Sequence, residues 1–277
     1  DNMNTFSTES IIKIEKLFIE FPIFHSSNRS LKKIMFSRAS KLIKARKNKK
    51  QHTGAELATN ANQELIVKAL QDVSLTFYPG DRIGLIGHNG SGKSTLLRAI
   101  TGIYEPNFGK IIVQGTIEAL LNINSGMNPL LTGRQNITLH GKKLGYSKEK
   151  IKLLEQDVEN FAELNEFLEL PLKTYSAGML MRLSFGLATS VIPNILLMDE
   201  WFMAGDNNFQ EKARERLISI VNRADIVVIT THSLPILQQW CKRIIWLQAG
   251  KVIGDGPTDE IIQRYTAHMK VETSTNN

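Results

Sequence analysis

Two runs of this chain carry residue types whose order matters for chemistry. In the first, Gly87-His88-Asn89-Gly90-Ser91-Gly92-Lys93-Ser94 fits the pattern Gly-x-x-x-x-Gly-Lys-Ser/Thr, with Thr95 next. Glycine at such places lets backbone N–H groups turn inward, and a helix opening at the end of the run adds partial positive charge. That combination suits a chain of phosphates: Lys93 would reach the β- and γ-phosphates, and the Ser94 hydroxyl would ligand Mg²⁺. The strand-like Arg82-Ile83-Gly84-Leu85-Ile86 ahead of the run and the helical stretch from Lys93 onward supply the context that the pattern requires. Its fixed positions would fall together by accident in about one chain of this length in a hundred.

The second run is Ile195-Leu196-Leu197-Met198-Asp199-Glu200, an apolar strand ending in two acids. Asp199 at the strand tip can hold Mg²⁺ through water, and Glu200 sits where a base polarises an attacking water. Alone, such a pair is as often a strand end with solvated acids; downstream of a phosphate loop it reads as metal ligand and base. His232 follows the strand-like Ile226–Thr230. At the end of a neighbouring parallel strand it would face the γ-phosphate, where a donor stabilises transferring charge. His25, His52, His140 and His268 have no comparable setting.

These residues need elements to hold them. Residues 11–21 alternate apolar and polar like a strand, and strand-like sequence resumes at Ile66, with Pro79-Gly80 as a turn. A helix-rich stretch runs from about 133 to 187. Short strands and helices then alternate: 195–199, 208–223, 226–230, 233–242 and 244–247. Strands alternating with helices predict an α/β fold with a mostly parallel sheet. No internal repeat is visible, so the chain offers one nucleotide site.

Composition narrows the class. Over 277 residues, 42% apolar and 22% charged residues describe a globular domain. The single cysteine, Cys241, excludes an internal disulfide framework and reads as a buried structural thiol. The longest uncharged stretch, Leu183 to Met198, is too short and too polar to span a bilayer, and the N-terminus lacks a signal-peptide pattern, so a cytoplasmic location is expected. The net charge of +7 is local. Ten Lys/Arg lie between Arg29 and Lys50 with no acid among them, and without those ten the remainder carries −3. Leu31, Ile34, Met35, Ala39, Leu42 and Ile43 fall on one broad helical face there. The segment reads either as a basic amphipathic helix lying on anionic lipid or as a solvated loop. Nucleic acid is not expected, because no aromatic platform accompanies the charge.

With Tyr175-Ser176-Ala177-Gly178-Met179 between the two runs, the chain resembles the ABC ATPase family across roughly residues 11–266. The resemblance implies a phosphate-loop (Walker A) NTPase with a parallel-sheet core, an N-terminal antiparallel strand region, a helical subdomain at about 126–187, and a short tail at 267–277. In that family Ser176 and Gly178, matching the signature motif, would face the nucleotide of a partner subunit. A serine and a glycine before a helix make an anion-binding start on physical grounds as well. Ala204-Gly205-Asp206 resembles the D-loop, with Asp206 as its acid, and Phe21, or else Phe24, best matches the adenine-stacking aromatic.

Several phrases are similar to exporters of bacterial surface polysaccharides such as O-antigen, capsule and teichoic acid: GHNGSGKSTLLRAITGIYEP, LLTGRQNI, TYSAGM and DEWFMAGDNNFQEKA. Three departures stand out. Ala177 and Met179 replace the usual signature Gly and Gln, and Ile123 occupies the place of the Q-loop glutamine, flanked by Asn122 and Asn124. After Tyr265 there is no room for the carbohydrate-binding β-sandwich that some O-antigen exporters carry. The resemblance implies a homodimer that binds ATP with Mg²⁺ and hydrolyses it. It would drive a separate permease from the cytoplasmic face of a bacterial inner membrane. An ABC ATPase for lipid or drug export, or a soluble one acting on nucleic acid or ribosomes, are the rival readings. The last lacks the long coiled coils or the second module that it usually has.

Overall fold

The computed structural model describes residues 10–23, 56–59, 65–121, 126–199 and 207–275. The basic segment 29–50 and Phe24 lie outside them. The chain divides into two compact units, Ile11–Phe77 with Arg82–Val113 and Thr230–Asn277, and Asp1–Ser10 with Tyr78–Asp81 and Gln114–Ile229.

In the first unit, strand β1 (Ile11–Pro22) buries Ile12, Ile14, Leu17 and Ile19. The alternation slips by one residue because Lys16, at φ 47°, makes a bulge between Ile14 and Leu17. β1 runs antiparallel to β3 (Leu65–Phe77), which also pairs β2 (Glu56–Thr59), and β5 (Phe108–Gln114) completes the order β2-β3-β1-β5. This is the expected antiparallel region. Beside it, β4 (Arg82–Ile86) pairs in parallel with β9 (Arg243–Gln248), and β9 turns back into β10 (Lys251–Pro257). Helix α1 (Lys93–Ile100) follows β4 through the phosphate-loop run, and buries Leu96, Leu97, Ala99 and Ile100.

The second unit holds the parallel strands β6 (Ile117–Leu120), β7 (Ile195–Met198) and β8 (Ile226–Thr230) in the order β6-β7-β8. All of β7 and β8 is buried, as continuous apolar runs in a parallel sheet should be. The helix-rich stretch resolves into α2 (Gly133–Lys143), α3 (Lys148–Ala162) and α4 (Ala177–Ala188), with two short 3₁₀ turns before α4. Ile137, Leu154, Val158, Leu183 and Leu187 form their common core. Each such side chain contributes about 1.5–3 kcal/mol on burial. Helix α5 (Asn207–Arg223) precedes β8.

Back in the first unit, α6 (Leu234–Trp240) stops two residues short of the expected 242, because Cys241 is extended. Its thiol is buried, and that burial pushes its pKa up to about 12, in keeping with a structural role. The last helix, α7 (Thr258–Thr275), runs as one piece through the position where a separate tail was expected to begin at 267.

Candidate nucleotide site

The phosphate-loop run leaves β4 with backbone that only glycine adopts comfortably. Gly87, Gly90 and Gly92 have φ of 145°, 78° and 109°. A Cβ on Gly87 would stand 2.1 Å from the Leu247 carbonyl oxygen, and one on Gly92 2.8 Å from that of Ala69. The loop is therefore seated directly on neighbouring backbone. The Gly250 N–H also donates to the Ser91 carbonyl at 3.0 Å, and the Gln71 N–H to the Gly250 carbonyl at 2.8 Å. The Lys93 ammonium donates to the carbonyls of Gly87 (2.7 Å) and His88 (3.1 Å), which keeps its charge at the loop. The Leu96 N–H bonds Gly92 O at 2.8 Å, so the helix starts at Gly92 and its first N–H groups belong to Lys93, Ser94 and Thr95. Asn89 and Gly90 are exposed, whereas the Ser91 hydroxyl is buried with no hydrogen-bond partner. Ser91 thus faces back into the protein, a placement that the motif alone does not reveal.

His232 lies in the same unit, exposed, two residues beyond β8. The Thr231 hydroxyl next to it accepts from the Ser233 N–H at 3.1 Å, which turns the chain into α6. Phe21 sits near the end of β1, where its ring meets Tyr104 edge-on at 5.0 Å. Tyr104 follows the C-terminal end of α1, opposite to the end at the loop, so Phe21 is engaged in the protein's own packing.

In the second unit, Asp199 directly follows β7, and its N–H donates to Leu120 O at 3.1 Å. Ser176 is the N-cap of α4: its hydroxyl accepts from the Met179 N–H at 3.3 Å, and Ser176, Ala177 and Gly178 are all exposed. Two of the quoted phrases here prove to be one packing unit. In LLTGRQNI, Thr132 and Gln135 form a capping box that opens α2. Gly133 lets the chain pass the hydroxyl of Tyr175, the first aromatic of TYSAGM, where a Cβ would stand 2.4 Å away. That hydroxyl donates to Phe167 O at 2.6 Å, fixing the residue just before Ser176. Glu200, Asp206, Asn122, Ile123 and Asn124 lie outside the described residues.

The residues present fit a nucleotide: a glycine cradle on backbone, a lysine held to it, and a helix start. Among the described residues no three or more of His, Cys, Asp or Glu gather as a metal cage. A Mg²⁺ ion suits such a site when a hydroxyl, one carboxylate and the phosphates themselves hold it.

A family model described as ABC transporter matches residues 70–203. The O-antigen export system ATP-binding protein RfbE of Yersinia enterocolitica is 38% identical over 234 residues, covering 84% of this chain and 92% of that protein. The chain belongs to the ABC transporter family. It is an ATP-binding, ATP-hydrolysing member of that family. The teichoic acids export ATP-binding protein TagH of Staphylococcus haemolyticus is 35% identical, covering 81% of this chain and 84% of the relative. RfbB of Myxococcus xanthus is 37% identical over 82% of this chain, which spans only 50% of that longer protein. Among solved structures, a dimeric ATP-binding cassette bound to ADP and phosphate matches at TM-score 0.62 and 21% identity, covering 89% of this chain and 98% of the other. That match shows the fold.

Sequence reasoning missed two features of this ABC domain. Glu118 on β6 is pushed up to about pKa 7 by burial. Trp246, Tyr265 and His268 cluster on β9 and α7, and no sequence spacing links residues on two such elements.

Proposed function

We propose that this chain is the ATP-binding subunit of a bacterial exporter, and that as a homodimer it drives a lipid-linked surface polysaccharide through a separate membrane permease. The start of α4 carries the dimer reading: an anion-suited helix N-terminus, capped and exposed, of the kind that would face a partner's nucleotide. The O-antigen and teichoic acid names of relatives that align over most of this chain support the cargo class.

In this reading the loop from Gly87 to Thr95 holds the phosphates, with Lys93 as counter-charge. Ser94 and Asp199 would hold Mg²⁺, which when bound would supply positive charge to the transferring phosphoryl group. Glu200 orients and deprotonates water, and His232 donates to the γ-phosphate. Ser176, Gly178 and Asp206 serve the site across the dimer. The chain works at the cytoplasmic face of the inner membrane, and the basic run 29–50, outside the described residues, carries charge that would suit anionic lipid there. No helix among the described residues is long and apolar enough to cross a membrane.

Two measurements test this. Ser176→Arg and Lys93→Ala chains are each inactive; mixed, they form dimers with one site carrying both defects and one carrying neither, so partial ATPase activity returns. No recovery despite proven mixing removes the shared site. In cells, Lys93→Ala at the native locus leaves lipid-linked glycan accumulated inside and the surface bare. An unchanged surface glycan defeats the export reading.

A further inference from the structure

Helix α7 is docked on the β9–β10 hairpin by Ile261 and Ile262, both buried. Ile261 lies over Gly254 and Gly256 of β10, where an added Cβ would already be in van der Waals contact with it at 3.4 and 3.5 Å, so the helix sits close to the strand. One turn further along α7, Tyr265 meets Trp246 edge-on, with ring centroids 5.3 Å apart and an interplanar angle of 86°. His268 meets the same indole at 5.2 Å. Trp246 is buried, its Nε1 has no hydrogen-bond partner, and it is the β9 residue paired with Ile86, the last residue before Gly87. Tyr265 also lies 6.4 Å, centroid to centroid, from the His88 ring in the phosphate loop.

His88 is the hinge of that loop's internal bonding. Its carbonyl accepts from the Lys93 ammonium at 3.1 Å and from the Ser91 N–H at 3.0 Å. A His88 ring held against α7 anchors the backbone that carries this carbonyl, and so helps to keep Lys93 in place. Aromatic rings at these separations prefer a small set of mutual orientations, so Trp246 restrains Tyr265 and Tyr265 restrains His88.

We propose that Tyr265 is a positioning residue for the phosphate loop. Through it the C-terminal helix α7, which supplies no motif residue, sets the affinity of this chain for MgATP. The inference rests on the reading of residues 87–95 as the nucleotide site.

The test measures MgATP affinity by calorimetry on the full chain, alongside helix content and melting temperature. Tyr265→Leu keeps a helix-forming side chain but removes the ring, and should raise Kd about three- to tenfold. Tyr265→Phe should stay within about twofold, because the ring and not the hydroxyl makes the contact. His268→Leu, which loosens the same indole without reaching the loop, should lower the melting temperature and leave Kd alone. Unchanged affinity in Tyr265→Leu beside lost affinity in Lys93→Ala overturns the proposal while keeping the loop reading. Equal losses in Tyr265→Leu and His268→Leu overturn it too, since they would mark a general packing effect. Wild-type affinity in Lys93→Ala would instead bring down the loop reading and the proposal with it.

Discussion

Glu118 on β6 sits in the parallel register opposite Leu196 of β7, and burial raises its carboxyl from the ordinary 4.5 to about 7. In the unfolded chain the same carboxyl ionises near its ordinary value. Between about pH 4.5 and pH 7 the folded state therefore holds a proton that the unfolded state has lost. Stability must fall as pH rises through that window and level off above it. At about 1.4 kcal/mol per pKa unit the ceiling is about 3 kcal/mol, and partial solvent access reduces this to about 1–2 kcal/mol. Glu118→Gln keeps the shape without the charge. It should match wild type near pH 4 and exceed it at pH 8 by that amount, a gain of about 2–4 °C in melting temperature for a chain of this size. Nucleotide-free protein, melted from pH 4 to pH 8 with the difference between the two chains plotted, reads this out with other titrating groups cancelled. Parallel curves over the whole range would refute the argument, and so would a wild type that gains on the variant as pH rises.

Glu200→Gln should keep ATP binding but lose turnover by about 10²–10⁴-fold, and gel filtration in ATP should show a trapped dimer; retained hydrolysis removes Glu200 from the role of base. Ser91→Ala removes a buried hydroxyl that has no partner, so nucleotide affinity should hold and stability should stay level or rise by up to about 1–2 kcal/mol. A large affinity loss on calorimetry would mean that the hydroxyl faces the ligand after all. If residues 29–50 lie on lipid, the chain should bind vesicles with anionic headgroups and ignore neutral ones, with binding falling as salt rises. Replacing Lys41, Lys44, Arg46 and Lys47 by Gln should abolish that binding and leave basal ATPase activity intact; no anionic preference at low salt ends the lipid reading.

The parts of the fold written in short-range sequence were the legible ones. β8 spans the same residues, 226–230, as its apolar run, and α5 begins one residue before the predicted 208. The phosphate loop was legible because its chemistry is local: three glycines and a lysine within a few residues determine it. Cys241 was legible too, since its apolar neighbours already implied burial. What escaped depended on partners far along the chain. Nothing around Glu118 signals a half-buried acid, because its burial comes from the packing of the sheet. The C-terminal helix escaped for a related reason. Ala267 to Thr275 lacks a clear apolar period, and the helix is anchored by Ile261 and Ile262 upstream. The phrases LLTGRQNI and TYSAGM were recognisable as text, yet their physical link, Gly133 passing under the Tyr175 hydroxyl, exists only in three dimensions.

The cap on α4 has a directional consequence. The Ser176 oxygen spends one lone pair on the Met179 N–H, which leaves its proton and one further lone pair to turn outward. Capping thus turns one lone pair inward and leaves the proton for an outward partner, so that an anion arriving from another molecule would meet a donor. Helix propensity alone would accept several residues here, since asparagine, aspartate and threonine all cap well. Only some of them preserve that polarity. Threonine keeps the outward hydrogen, whereas aspartate would satisfy the helix equally well and turn a negative charge toward the arriving phosphate. Two substitutions indistinguishable to the fold would then be opposite in sign to the ligand, which separates the helix's demand on position 176 from the neighbour's.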